Sequence, residues 1–267
     1  MEEIKKNNSI KDLTKLSWTK TRESSGTAGS YLKSFSYQHG KKVYYKLPYF
    51  DPQKEVFGYE SINEIIVYRL MQQLGYNCLK YFIANAKIIV NGKEYITPLV
   101  YSYDFKEPNE SKITFENFYD LNKQDNESII DFAKRNNFDL DLYHMIVVDY
   151  LIVNRDRHGA NLEVLYNSKT KQYRIAPLFD QGLSFISPSY LEDDIKNFDC
   201  KINRKVNSFL GQNDLEELIK IVPSEVYKSI HIDIDAIFGG LEEYAPKYYL
   251  DKCRELLIHR VRLIESI

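Results

Sequence analysis

The spacing of the hydrophobic residues changes near residue 104. Before that point, apolar and polar positions alternate with the period of β-strands, and short turn signals interrupt them. From about residue 114 the apolar positions recur every three to four residues, as they do in helices that bury one face. The change predicts an α+β protein of two lobes: residues 1–103 with a mostly antiparallel sheet and one helix, and residues 104–267 with a mostly helical fold.

Two hairpins and one helix are predicted in the first lobe. The Asn91-Gly92 dipeptide is the strongest short signal for a hairpin, and a glycine such as Gly75 commonly ends a helix. The segment that follows Tyr101 is polar and is expected to form the hinge between the lobes. The predicted strands are 31–37 with 42–47 and 81–90 with 93–101, and the predicted helix is 59–75.

The second lobe is predicted from longer apolar repeats. Residues 139–153 are strongly apolar and are expected to form its central helix. Residues 104–113 and 187–205 are polar and carry no element in this prediction. The other predicted helices are 126–137, 213–221, 223–238 and 246–266, and a short hairpin is predicted at 162–166 and 172–176.

Composition and charge narrow the class of protein. Of the 267 residues, 43% are hydrophobic and 28% are charged, and the formal net charge is −2. This ordinary balance gives no indication of a nucleic acid or an anionic membrane as the main partner. Three cysteines, far apart and odd in number, indicate reduced thiols. With no secretory signal and no apolar run of membrane-spanning length, we expect a cytoplasmic protein, and export as an effector without a cleaved signal stays open.

Polar residues that suit phosphoryl transfer lie between residues 147 and 185. Asp156 and Asn161 are five positions apart, and Asp180 follows within Asp-Gln-Gly. The hairpin predicted between them would bring Asn161 and Asp180 together, where two oxygen ligands suit Mg²⁺. Asp156 would then face a substrate hydroxyl. The spacing matches the protein-kinase pattern, although His158 here follows the aspartate. The alternative is a polar loop whose side chains cap turns.

Three features of the first lobe could complete a nucleotide site. The small residues 24–30 form either a loop whose amides approach a phosphate or simply a flexible loop. Lys46 lies in a predicted strand; a buried lysine needs an anionic partner, whereas an isolated lysine more commonly lies on an exposed face. Glu60 and Glu64 are one helical turn apart, and one of them could reach Lys46. Solvated surface glutamates are the favoured alternative without further context.

The order of these features resembles that of a known family. Asn-Arg-Asp-Arg-His-Gly-Ala-Asn-Leu-Glu at 154–163 and Ala-Pro-Leu-Phe-Asp at 176–180 are similar to the catalytic core of HipA-like serine/threonine kinases. Phosphatidylinositol 3/4-kinases share a similar Asp-Arg-His-x-x-Asn string. Asn63-Glu64, ahead of an apolar helix, also resembles the HipA-like first lobe. The resemblance covers residues 23–265, is specific at 151–182 and implies a compact, two-lobed protein-kinase-like fold.

The resemblance implies roles in the second lobe for four residues. Asp156 resembles the catalytic aspartate, and His158 resembles an orienting residue beside it. Asn161 and Asp180 resemble the ligands of Mg²⁺.

The resemblance also implies how the first lobe binds ATP. Lys46 resembles the lysine that contacts the phosphates, and Glu64 its ion-pair partner, with Glu60 as the alternative. The phosphate loop is also the place of inhibitory autophosphorylation in this family, so Ser25, Thr27 and Ser30 are candidate sites. The predicted ATP-binding residues also include the end of the strand before the hinge, so the set beside Lys46 and Glu64 is Ser24, Ser25, Gly26, Thr27, Ala28, Gly29, Ser30, Leu99, Val100 and Tyr101.

The function implied in this way is an ATP- and Mg²⁺-dependent protein kinase that acts as a toxin or an effector. Its partners would be a protein substrate and an inhibitory protein such as an antitoxin, with no direct binding of nucleic acid. Two alternatives stay open: a lipid or small-molecule kinase of the same fold, and an ATP-binding pseudokinase that serves as an interaction module.

Overall fold

A large antiparallel sheet with one long helix against it is followed by a part made of shorter helices and small sheets. The structure, a computed structural model, describes residues 10–21, 28–51, 53, 56–228 and 230–267. At residues 20, 21, 28–30 and 56 it describes the backbone alone. This architecture confirms the predicted α+β class.

The elements are numbered in chain order. The strands are β1 (Lys11–Asp12), β2 (Thr19–Thr21), β3 (Ala28–Gln38), β4 (Lys41–Lys46), β5 (Phe50–Asp51), β6 (Val56–Phe57), β7 (Phe82–Val90), β8 (Lys93–Tyr103), β9 (Glu110–Thr114), β10 (Asp156–Arg157), β11 (Glu163–Asn167), β12 (Gln172–Ile175) and β13 (Asn207–Ser208). The α-helices are α1 (Glu60–Leu74), α2 (Phe115–Asn122), α3 (Ile129–Arg135), α4 (Asp139–Ile152), α5 (Glu192–Lys196), α6 (Leu215–Ile219), α7 (Ile234–Phe238) and α8 (Lys247–Ile264).

The six-stranded sheet confirms both hairpins predicted in the first lobe. Its strand order is β1-β7-β8-β4-β3-β2. At the β7–β8 turn, Asn91 and Gly92 have φ values of 52° and 78°, a left-handed conformation that asparagine tolerates and glycine adopts freely. Strand β4 pairs with β8 so that Lys46 lies opposite Val100. The register therefore places Lys46 in the interior of the sheet rather than at its edge.

Helix α1 confirms the helix predicted at 59–75, but its burial differs from the prediction. Gly75 ends the helix with φ 71°, the usual role of a glycine at this position. One apolar face was expected, whereas every residue from Glu60 to Tyr68 is buried. The helix contacts β7 and β8 on one side and α4 and α7 on the other. Its polar residues are therefore enclosed, and the interpretation of Glu60 and Glu64 as solvated surface residues is wrong.

Two hydrophobic clusters form the core. The larger joins α1 to the helices of the second part, and the smaller covers the other face of the six-stranded sheet. Val100 belongs to the larger cluster and Leu99 to the smaller, because successive residues of a strand point to opposite faces. The division into lobes at residue 103 stays a prediction.

Helices α3, α4, α6 and α8 lie within predicted ranges, but the single helix predicted at 223–238 is wrong. A 3₁₀ turn at Ser224–Val226 and the short helix α7 take its place. Asp233 begins α7 by accepting a hydrogen bond from the backbone of Ala236 at 3.0 Å. The backbone of Asp233 is in turn bonded to Gln73 of α1, so a tertiary contact sets where α7 begins. No helix among the described residues is both long and apolar enough to cross a membrane.

Three elements that the sequence pattern does not predict lie in the polar segments or directly after them. The pairing of β11 with β12 confirms the hairpin predicted at 162–166 and 172–176. Strand β9 pairs with the other edge of β11 and adds a third strand. Helix α2 follows directly, with Thr114 as its cap, and α5 lies within 187–205. Strand β9 is mostly polar, and its pairing partner lies about fifty residues away, so local alternation gives no signal for it.

Candidate active site

Lys46 joins two segments that are far apart in the sequence. Its Nζ lies 2.6 Å from Oε1 of Glu64 in α1 and is also paired with the carboxylate of Asp180, 134 residues further along. The side chains of Lys46, Glu64 and Asp180 are 12%, 0% and 13% exposed. The interpretation of Lys46 as an exposed strand residue is therefore wrong, and the lysine is buried with two anionic partners.

The three charges of this junction stabilise one another. Burial lowers the pKa of Lys46, but the charges of Asp180 and Glu64 outweigh that effect and hold the pKa above its ordinary value. Lys46 is therefore a permanent positive charge near neutral pH. Removing one member of a buried ion pair costs about 3–5 kcal/mol, because the remaining charge is left without compensation. The ring of Tyr31 lies 5.0 Å from Nζ and adds a cation–π contact.

The two glutamates of α1 have different partners. Glu64 pairs with Lys46, which answers the alternative that the sequence left open. Glu60 is 1% exposed and accepts hydrogen bonds at 2.9 Å from the backbone of Tyr49 and from the hydroxyl of Tyr190. Burial raises the pKa of Glu60 by more than these hydrogen bonds lower it. Glu60 therefore connects three segments, and no cation among the described residues is in direct contact with it.

Backbone contacts hold the segment of Asp180 against α1. Asp180 has φ 65°, a left-handed conformation that non-glycine residues seldom adopt and that surrounding contacts must maintain. Its N–H donates to the hydroxyl of Tyr81 at 3.3 Å, and the N–H of Gln181 donates to Oε2 of Glu64 at 3.0 Å. Gly182 permits this approach, since a Cβ there would lie 3.0 Å from a side-chain carbon of α1.

Asn63 ties the same segment to the last helix. Its Nδ2 donates to the carbonyls of Gly182 and Ser184 at 2.8 and 3.1 Å, and its Oδ1 accepts from the hydroxyl of Tyr249 at 2.7 Å. The residue is completely buried. Sequence reasoning gave Asn63 no role beyond a match to a motif. An uncharged polar residue inside the apolar face of a helix was the available signal, because a buried amide must be hydrogen-bonded.

Asp156 lies at a more open end of the site. Strand β10 is parallel to β13, which places Asn207 opposite Asp156, and Nδ2 of Asn207 donates to Oδ1 of Asp156 at 3.3 Å. Nε2 of His158 is 3.8 Å from Oδ2 of the same carboxylate. The Asp156 and His158 side chains are 29% and 35% exposed, so a substrate group can reach them. Sequence reasoning missed Asn207, for which we find no signal, because the two residues are 51 positions apart.

A buried ion pair connects the loop of Asp156 to helix α4. Arg157 donates from Nε and Nη2 to the two oxygens of Asp149 in α4, at 2.8 Å each, and from Nη1 to the carbonyl of Asn161 at 3.1 Å. Asn154 also donates to Asp149 at 2.8 Å. A bidentate arginine–carboxylate pair is both strong and directional. The loop is therefore anchored to the central helix on both sides of Asp156.

Asn161 and Asp180 supply the kinds of atoms expected of a Mg²⁺ site. Asn161 lies in the 3₁₀ turn Gly159–Asn161, and its Nδ2 donates to the carbonyl of Asp156 at 2.9 Å. Its amide oxygen is the atom of the side chain that is chemically suited to bind a metal ion. An amide oxygen and a carboxylate oxygen fit Mg²⁺, which keeps several waters and needs few protein ligands. In the described ranges, no three His, Cys, Asp or Glu side chains form a metal cluster. Binding of Mg²⁺ by these two residues stays a prediction.

The structure describes only some of the other residues that are predicted to bind ATP. Ser24, Ser25, Gly26 and Thr27 lie outside the described residues, and Ala28, Gly29 and Ser30 begin β3 with only their backbone described. In β8, Val100 shares the sheet face of Lys46 and Leu99 does not. Tyr101 stacks on Phe82 with 5.1 Å between the ring centroids. Nucleotide binding by these residues, and phosphorylation of Ser25, Thr27 or Ser30, stay predictions.

Two solved structures are among those similar to this chain. The proinflammatory kinase CtkA of Helicobacter pylori matches with a TM-score of 0.70 and 17% identity, over 97% of this chain and 98% of that one. The HipA component of a toxin–antitoxin system of Shewanella oneidensis, in complex with HipB and operator DNA, matches with a TM-score of 0.47 and 14% identity, over 90% and 67%. No protein-family model and no curated protein matches the sequence. The likeness to CtkA confirms the kinase fold expected from the resemblance to HipA-like kinases.

Proposed function

We propose that this chain is an ATP- and Mg²⁺-dependent kinase that transfers the γ-phosphoryl group to a serine or threonine of a protein. The observation that carries the proposal is the meeting of Lys46, Glu64 and Asp180. A buried lysine held between two carboxylates, in a kinase fold, is a fixed charge placed for phosphate oxygens. Catalysis of phosphoryl transfer consists mostly of positioning and charge stabilisation, and this arrangement supplies both.

At the phosphate end, each residue has a distinct task in this proposal. Lys46 offers a permanent positive charge to the phosphates, and Glu64 keeps its side chain extended across the junction. Asp180 and Asn161 are the residues that would hold Mg²⁺, which when bound neutralises charge on the phosphate oxygens. Because the junction is already ordered, little reorganisation is needed when negative charge develops in the transition state.

At the nucleophile end, Asp156 receives the substrate hydroxyl. The hydrogen bond from Asn207 holds one carboxylate oxygen, and the other is directed toward His158 and solvent. We assign Asp156 to orient the hydroxyl and to accept its proton, which is the role of a positioned general base. His158 borders the same oxygen and helps to orient the incoming group.

Incubation with labelled ATP and Mg²⁺ tests this assignment. We expect label on protein with the unaltered chain and with Asp194→Asn, a change at an exposed aspartate of α5, but no label with Asp180→Asn. Lipid vesicles are included in a parallel reaction. Label confined to the lipid would favour the lipid-kinase alternative and would contradict a protein substrate.

Absence of label in every fraction would favour the pseudokinase alternative. The melting temperature with ATP and Mg²⁺ then shows whether the chain still binds nucleotide, because a ligand of the native state alone raises that temperature. Mass spectrometry after incubation with ATP examines Ser25, Thr27 and Ser30 for autophosphorylation. We also propose an inhibitory protein partner similar to an antitoxin, and this part of the proposal is supported only by the sequence resemblance.

A further inference from the structure

The segment that leads into β13 carries two exposed lysines next to the candidate active site. Lys201 and Lys205 are both exposed, and Ile202 beside the first of them is 52% exposed. Among the described residues, neither lysine forms an ion pair with a carboxylate. Exposed lysines are ordinary by themselves, so their position relative to the active site decides what they can do.

Lys205 lies on the side of its segment that faces the Asp156 end of the site. Asn207 is opposite Asp156 in the pairing of β10 with β13 and donates to its carboxylate. Lys205 and Asn207 are exposed, whereas Val206 between them is buried, which is the alternation of an extended segment. Residues two positions apart in such a segment share a side and are separated by about 7 Å. A peptide whose hydroxyl is at Asp156 therefore passes within reach of Lys205.

Hydrogen bonds hold this segment in a fixed shape. Nη1 of Arg204 donates to the carbonyls of Asp199 and Ile202 at 2.8 and 3.1 Å, so the loop turns back on itself. Nδ2 of Asn203 donates to the carboxylate of Asp214 at 2.9 Å. A surface that is ordered before it binds loses less entropy when a partner arrives.

The neighbouring carboxylates are engaged within the loop rather than by the two lysines. Oδ1 of Asp199 accepts from the backbone N–H of Lys201 at 2.8 Å. Oδ1 of Asp214 accepts from Asn203 and from the backbone N–H of Glu216 at 2.9 and 2.8 Å. The loop therefore uses its acidic side chains to hold its own shape and leaves the ammonium groups exposed.

We propose that Lys201, Ile202 and Lys205, which together form the basic surface, bind an acidic segment of the protein substrate beside the hydroxyl that is phosphorylated. This inference rests on the proposed kinase function and names the class of its substrate, a serine or threonine flanked by aspartate or glutamate. Opposite charges guide such a segment to the site and fix its register against Asp156. Ile202 gives the same segment an apolar contact.

A protein segment fits the basic surface better than a nucleic acid does. Binding of a nucleic acid depends on many phosphate contacts from lysine and arginine. The basic surface offers two ammonium groups, and the whole chain has a net charge of −2. An exposed isoleucine between two lysines suits the mixture of acidic and apolar side chains that a peptide presents.

Synthetic peptides that differ only in their flanks test this selection. Each carries one central serine with flanks of glutamate, lysine or alanine, and initial rates with labelled ATP give kcat/KM for each peptide. We expect kcat/KM of the glutamate peptide to exceed that of the alanine peptide about five- to ten-fold, because exposed ion pairs are individually weak and two act together. The difference should decrease at high salt, which screens exposed charges.

Charge variants assign the preference to the basic surface. Lys205→Glu is expected to reverse it, so that the lysine peptide becomes a better substrate than the glutamate peptide, and Lys205→Arg should keep it. Lys201→Glu should weaken the preference by less, since Lys201 is farther along the segment from Asn207. Lys169→Glu is the matched control, because Lys169 is an exposed lysine in the turn between β11 and β12, and it should keep the preference.

Binding without catalysis separates this inference from the kinase function. A fluorescent glutamate peptide with alanine in place of serine cannot accept a phosphoryl group, and its anisotropy is recorded without ATP. Binding that Lys205→Glu weakens about five-fold or more would support the basic surface, and absence of label on every peptide would then overturn the kinase function alone. Label on all three peptides at equal kcat/KM, without binding of the glutamate peptide, would overturn the basic surface and leave the kinase function intact.

Two further results would contradict the proposal. A preference for the glutamate peptide that persists in Lys205→Glu would show that other residues select the substrate. Displacement of the fluorescent peptide by a single-stranded oligonucleotide of equal charge, at a lower concentration than unlabelled peptide requires, would show that the basic surface binds nucleic acid instead.

Discussion

The two ends of the candidate active site are held in different ways. At the Lys46 end, three charged side chains with exposures of 0–13% and the buried Asn63 join the sheet, α1, the Asp180 segment and α8. At the Asp156 end, the carboxylate is 29% exposed and accepts a hydrogen bond of 3.3 Å from Asn207. One end is enclosed and fully paired, and the other faces solvent.

The proposed kinase function would account for this difference. Phosphate oxygens are the same in every reaction, so charges placed for them can be fixed in advance. In the proposed reaction a protein hydroxyl has to enter, react and leave, so the carboxylate of Asp156 must stay accessible. Changes at the enclosed end should therefore reduce stability and activity together, whereas changes at the open end should reduce activity alone.

Lys46→Met is expected to have the largest effect. It leaves the carboxylates of Glu64 and Asp180 buried and facing each other, and unfolding in denaturant should show a loss of about 3–5 kcal/mol, with phosphoryl transfer lost as well. Lys87→Met is the matched control, because Lys87 is also a strand lysine paired with a glutamate but its side chain is 40% exposed. Its stability should hardly change.

A double variant at the same junction distinguishes the effect of charge balance on stability from the effect of the lysine on phosphoryl transfer. Lys46→Met combined with Glu64→Gln removes both a buried cation and a buried anion, so part of the lost stability should return while phosphoryl transfer stays absent. Equal stability losses in Lys46→Met and Lys87→Met would show that the junction is no more important than a surface pair.

Asp156→Asn tests the open end. Phosphoryl transfer should fall about 100- to 10,000-fold because the base is lost, while the melting temperature stays within a degree or two of the unaltered chain, since the amide keeps the shape of the side chain. Initial rates with labelled ATP and a thermal melt give the two readings. Full activity in this variant would show that Asp156 does not act as the base in phosphoryl transfer.

Asn207→Ala should have a smaller and more specific effect. Loss of one hydrogen bond to the carboxylate of Asp156 is worth about 1 kcal/mol, which corresponds to a decrease in kcat of about five-fold. The KM for ATP and the melting temperature should stay unchanged, because the residue is exposed and its side chain bonds to Asp156 rather than to the Lys46 junction. Asn197→Ala, at an exposed asparagine ten positions earlier, serves as the control and should leave kcat intact.

Glu60→Gln should have the smallest effect, visible as a dependence on pH. Burial raises the pKa of Glu60 above its ordinary 4.5, so the folded state keeps the proton to a higher pH than the unfolded state does. The unaltered chain is therefore expected to lose stability relative to the glutamine variant as pH rises from about 4.5 toward neutral. Denaturant unfolding of both proteins across that range measures the difference, and a constant difference would contradict the assignment.

Sequence patterns predicted the turns and helix ends correctly where neighbouring residues determine the structure. Asn91-Gly92 forms its turn and Gly75 ends its helix because both depend on local backbone preferences. The prediction failed for the helix at 223–238, because Asp233 is held by Gln73 of α1. It missed Asn207, which lies beside Asp156 only through the parallel pairing of two short strands.

By itself the sequence determined the α+β class, the two strong hairpins, the main helices and the set of residues that suit phosphoryl transfer. Only the tertiary structure decided which of them meet. Whether Lys46 is exposed or buried depends on Asp180, 134 residues away, and the choice between Glu60 and Glu64 depends on how α1 rotates between the sheet and the Asp180 segment. The local pattern of apolar and polar residues shows which positions of a helix or strand are buried. Which charged side chains pair depends on contacts between distant segments, and no short stretch of the sequence contains that information.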